Sequence, residues 1–127
     1  MEEMAKKMAD MPEDKRRAMM KEKMEMFASM QETQRKESMR QMMNTMMTLP
    51  VDKMKILVKT RISLLAELPE EKREALMMTH MSLHQEMPKE KVEMEKQIVM
   101  EAIAVLPDEH KKIMKAAIKK HKDAVKT

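Results

Sequence analysis

Two side-chain types in this chain stand at spacings that could do chemistry. His80 and His84 lie one helical turn apart, and Met77 and Met87 continue the three- and four-residue spacing on either side. On one continuous helix, residues 77, 80, 84 and 87 share a face. Imidazole and thioether donors together suit copper, so Met77, His80, His84 and Met87 form a candidate Cu(I) site. Two histidines alone are too few for a structural zinc site. The densest thioether cluster lies elsewhere, at Met39, Met42, Met43, Met46 and Met47, and offers soft ligands at helical spacing too.

The methionines have a second possible use. Of the 22 in the chain, 14 fall in residues 1–47, and no Leu, Ile or Val occurs before Leu49. The first part of the molecule must therefore build its apolar face from Met, Ala and the single Phe27. Met is unbranched and polarizable, so it fills irregular gaps, specifies packing weakly and adapts to different apolar partners. These residues occupy columns that later hold Leu and Ile, which makes ordinary core the plainer reading. The functional reading is a non-enzymatic interaction or scaffold module. In it Met19, Met20, Met24, Phe27, Met39, Met42, Met43, Met46 and Met47 receive an apolar or amphipathic segment of a protein or peptide partner, or a second copy of the chain.

A third feature is charge. The net charge of +4 comes from the last stretch, where Lys111, Lys112, Lys115, Lys119, Lys120 and Lys122 stand opposite an apolar stripe. Such a helix could dock on an anionic membrane or track nucleic-acid phosphates. The near-absence of aromatic residues for stacking, and of Arg beyond Arg73, makes nucleic acid and membrane the less favoured partners. Enzymatic classes fare worst. With no Gly there is no glycine-rich phosphate loop or nucleophile elbow, with no Cys no thiolate, and no Ser has an evident His and carboxylate beside it. No cofactor is expected apart from the copper alternative.

The elements that must position these residues are set by a repeated phrase. A Leu or Met, then Pro, then acidic residues recur at Pro12, Pro50, Pro69, Pro88 and Pro107, with Gln31 holding the register where one proline is missing. Proline lacks an N–H and has a fixed φ, so it suits the first position of a helix, and carboxylates just after it meet the positive end of the helix dipole. The units are 12–30, 31–49, 50–68, 69–87, 88–106 and 107–125, preceded by a half unit at 1–11. Within each, positions nine, thirteen, sixteen and nineteen are apolar in most units, a helical stripe and not the alternation of a strand. The expected architecture is one all-α domain over 1–127, in which antiparallel helical hairpins form a short α-solenoid or an up-down bundle. Lys96, Lys115 and Lys119 replace apolar residues in the shared columns, as in a polar capping repeat. An acidic start without an apolar run, and no stretch near the ~20 apolar residues of a membrane span, predict a soluble, cytoplasmic protein.

Overall fold

The computed structural model describes residues 2–126, with side chains described for residues 3–121. The described residues form seven helices and no strand: α1 (Glu2–Asp10), α2 (Glu13–Ser29), α3 (Glu32–Met47), α4 (Val51–Glu67), α5 (Glu70–His84), α6 (Lys89–Ala104) and α7 (Asp108–Lys126). No helix is long and apolar enough to cross a membrane. The period of nineteen thus translates into one helix per unit, with every connection falling at the Pro phrase or at Gln31.

Two details of the connections differ from the simplest expectation. Each proline before α2, α4, α5 and α6 lies one residue outside its helix as the N-cap, with ψ between 141 and 148°. Its carbonyl already accepts the first helical bond, as in Arg16 N–H to Pro12 O at 3.0 Å. The missing N–H is equally harmless there, because an N-cap amide has no intrahelical acceptor.

The other end of each helix faces a harder problem. Helices commonly stop on a left-handed Gly, but this chain has no Gly, and no residue among those described has positive φ. Met30 and Leu68 instead turn extended (φ −74°, ψ 158° and φ −73°, ψ 153°). A following proline imposes that shape on Leu68. Carbonyls at and just beyond the last turn are met by an arginine reaching back from position five of the next unit. Arg16 donates to Met11 O at 2.8 Å and Ala9 O at 3.5 Å. Arg35 donates to Phe27 O at 3.0 Å, Met30 O at 2.7 Å and Ala28 O at 3.4 Å. Arg73 does the same to Leu65 O at 3.2 Å and Leu68 O at 3.0 Å. A planar guanidinium with five donors can span several carbonyls, which an ammonium cannot do with the same geometry.

Packing between helices follows a rule that the repeat length alone does not set. Helices two and three places apart pack more extensively than sequence neighbours: α4 on α6, α3 on α5 and α2 on α4, together with α1 on α4, α2 on α5 and α4 on α7. Short connections therefore do not make consecutive helices the main partners. Polar contacts between the outer faces repeat the rule at a separation of 46 residues: Arg17 to Ser63 (2.9 Å), Arg40 to Glu86 (2.9 Å), Lys55 to Glu101 (3.7 Å), and Glu74 with Lys120. Exposed pairs of this kind add little stability, but they show each helix meeting the second one after it in a constant register. The core runs through the middle of this arrangement, from Met8 and Ala9 through Leu57, Val58, Ile62 and Leu65 to Ile98, Ile103 and Met114.

Candidate functional site

The equivalent faces of all six full units turn toward one cavity of about 370 Å³. Its lining is periodic. Position twelve of every full unit contributes, namely Lys23, Met42, Arg61, His80, Val99 and Ile118, and positions thirteen and sixteen add Met24, Phe27, Met43, Met46, Ile62, Leu65, Met81, His84 and Met100. The cavity is therefore a product of the repeat: an amphipathic stripe that recurs in each helix is brought round a common axis.

Of the nine residues expected to receive a partner, Met20, Met24, Phe27, Met39, Met42, Met43 and Met46 line this cavity. Met19 and Met47 are half-buried and lie off it, and Met47 packs against the main core instead. The wall they build is thin. Helix α3 buries only Met43, whereas Met39, Met42 and Met46 keep part of their surface open.

Across the cavity lies a polar cluster. Met77, His80 and His84 come to the cavity from α5, but Met87 does not. The reason is local: α5 ends at His84, so the helical register that would align residue 87 with 77, 80 and 84 has stopped. Glu95 of α6 takes the place that spacing assigned to a thioether. His80 Nε2 bonds its Oε1, His84 Nε2 lies 3.3 Å from the same oxygen, and Arg61 Nη2 of α4 approaches it to 3.3 Å. The two imidazole rings meet edge to face with centroids 4.6 Å apart. Glu95 is only 4 % exposed. Burial works against its charge, but hydrogen bonds from His80 and His84 and the charge of Arg61 hold the carboxyl well below the usual carboxylate range. Burial and Arg61 push His80 below the ordinary imidazole value, against the pull of Glu95. The arrangement is a buried carboxylate held between a guanidinium and two imidazoles.

Glu95 and Arg61 were absent from the sequence expectation, although one signal for Glu95 is in the chain. It stands at position eight, where Leu57, Leu76 and Met114 are buried and Met19 and Ser38 are half-buried. A carboxylate in a column of buried Leu and Met requires a dedicated set of partners. Arg61 gives no such signal, since its column mixes Lys, Met, His, Val and Ile.

None of the described α7 lysines lines the cavity. Lys112, Lys115, Lys119 and Lys120 are exposed and Lys111 is half-buried; Lys122 lies outside the residues whose side chains are described. Lys120 is paired with Glu74. That hydrogen bond and charge raise the ammonium pKa and, on the other side, lower that of the carboxyl. The chain matches no family model, and neither a curated protein nor a solved structure matches it.

Proposed function

We propose that this is a non-enzymatic binding module whose Met-lined cavity receives apolar side chains carried by a segment of a protein partner. The observation that carries this reading is the convergence of seven Met and Phe side chains from α2 and α3 on one cavity, in a wall only partly buried. Thioethers rearrange among rotamers at low cost, so such a wall can mould itself to guests of different shape. Size narrows the guest. A volume of about 370 Å³ lies at the low end of the 300–1,000 Å³ typical of ligand pockets. A helix about 10–12 Å across would need about 1,000 Å³ for two turns. The cavity therefore suits two or three inserted side chains, with the rest of the partner resting on the exposed surface of α3.

The test uses an anilinonaphthalene sulfonate dye and a twelve-residue amphipathic Leu/Lys peptide as probes. The folded protein should light up the dye below its melting transition, the peptide should displace it, and Met43→Trp, which narrows the cavity, should weaken both. Dye binding that appears only on melting sinks the reading. Dye release on self-association, seen by sedimentation, would assign the guest to a second copy of the chain.

A further inference from the structure

We propose that His80, His84 and Glu95 bind one divalent first-row transition-metal ion of borderline character, of the Zn²⁺ or Cu²⁺ kind, reached through the cavity. The placement of polar groups is the first argument. Two columns that are otherwise largely apolar are interrupted where they meet a third, mixed one. His84 stands in the column of Phe27, Met46, Leu65 and Ile103, Glu95 in that of Met19, Ser38, Leu57, Leu76 and Met114, and His80 in a mixed one that holds Lys23 and Arg61 beside Met42, Val99 and Ile118. Groups that would each disfavour burial alone are collected at one point on the junction of α5 and α6.

Geometry supplies the second argument. One donor atom from each of the three residues lies within 4.8 Å of the other two. A metal held at about 2.0–2.2 Å from N and O ligands needs its donors within about 4 Å of one another. Small rotations of the two rings bring the set to that size. Both Nε2 atoms already point at Glu95 Oε1. Moving the imidazole proton to Nδ1 turns each Nε2 from a hydrogen-bond donor into a ligand and leaves the ring neutral. Three protein ligands leave a position open toward the cavity.

The donor set identifies the ion. Two imidazoles and a carboxylate oxygen match Zn²⁺ and Cu²⁺ better than Cu(I), which favours thiolate and thioether. Glu95 in place of Met87 thus moves the preference away from the copper state that helical spacing alone suggested. Arg61, bonded to the same carboxylate, acts as the outer partner that fixes ligand orientation. Its charge opposes the incoming ion and sets a ceiling on affinity. The site stands independently of the guest proposed above, because ion and guest are read by different probes.

The experiment titrates metal-free, full-length protein with Zn²⁺ in competition with a coloured chelator, and follows the histidine ring resonances by NMR. One equivalent should bind, moving the resonances of His80 and His84 and leaving those of His110 and His121 in place. Glu95→Gln and His84→Ala should each weaken binding by more than about tenfold, the loss that even an outer-shell change brings, while Met87→Leu should leave it unchanged. The ring signals come from the wild-type protein, so the test survives a variant that fails to fold. Three results would overturn the proposal: no uptake of Zn²⁺, uptake indifferent to Glu95→Gln and His84→Ala, or movement of His110 or His121 instead. Tight Cu(I) binding lost in Met77→Leu but kept in Glu95→Gln would replace this donor set with a thioether one.

Discussion

Helices α3 and α4 are consecutive, 16 and 17 residues long and built on the same frame, yet α4 buries eight residues and α3 one. At positions nine, thirteen and sixteen α3 carries Met39, Met43 and Met46, where α4 carries Val58, Ile62 and Leu65. The environments differ accordingly. Helix α4 packs against α1, α2, α6 and α7, whereas α3 has its main contact with α5 and faces the cavity with much of its stripe. Branched side chains with few rotamers suit the more deeply buried helix, even where Ile62 and Leu65 reach the cavity, and flexible thioethers suit the one left half-open. One amphipathic frame thus yields a rigid spine and a deformable wall, and the choice between them lies in the apolar residue type.

The sharpest way to break this contrast is to truncate one residue in each region. Leu57→Ala, in the spine and 3 % exposed, should cost about 2–5 kcal/mol, as buried Leu truncations do. Met39→Ala, beside an existing cavity, should cost less than half as much in the same urea titration. Equal costs would remove the distinction. Next in size is the arginine that ties the wall to its neighbours. Arg35→Ala takes away donors to three carbonyls at the end of α2 and to Thr79 Oγ1 at 3.4 Å, and should lower stability by about 1–3 kcal/mol. Arg35→Lys should recover little of it, since the fork geometry is lost.

A gain is expected at the far end of the molecule. His121 is buried and its Nε2 has no hydrogen-bond partner among the described residues, in a column that holds Leu64 and Leu83. His121→Leu should therefore stabilise by about 1 kcal/mol. Burial lowers the His121 pKa, with Lys120 adding to the shift and Glu74 opposing it. The folded state consequently takes up its proton less readily than the unfolded chain, whose histidine titrates near about 6.5. The stability linked to this difference is complete above that pH and is lost as pH falls below it. Thermal melts of the metal-free protein from pH 7.5 to 5.5 should slope downward toward acid, and His121→Leu should flatten part of the slope; His80 shifts in the same direction and keeps the rest. The smallest effect is at the missing proline. Gln31 has φ −65° and ψ 151°, close to the φ −56° and ψ 147° of Pro50. Gln31→Pro should add about 0.4–1 kcal/mol by restricting the unfolded chain; a loss would mean that the wall depends on freedom at that turn.

Much of the fold was legible because its signals are local. The proline phrase marks the starts of α2, α4, α5, α6 and α7 to within a residue, and the apolar columns name the faces that turn inward. Partner choice was not legible, since a stripe says which face is buried and not what buries it. The site divides in the same way. The Met columns pointed to the cavity wall, whereas Met87 was misaligned by a helix end three residues earlier, and Glu95 became conspicuous only when its column was read beside Leu57 and Leu76. The back-reaching arginines at positions 16, 35 and 73 are just as periodic, but their role needs the knowledge that a chain without Gly must end its helices in another way.

Packing at two and three units' remove has a consequence for how the chain comes together. A stack in which each unit met only its neighbours could grow from any point and lose a terminal repeat with little harm. Here α7 covers α4, α5 and α6 at once, and α1 covers α3 and α4, so trimming either end uncovers several helices together. Adjacent helices pack less extensively than those two or three places apart, and loops spanning at least one whole unit must close before the largest contacts form. Assembly is expected to be a single concerted event, slower than that of a helical protein built on neighbour contacts, and every probe of unfolding should report the same midpoint.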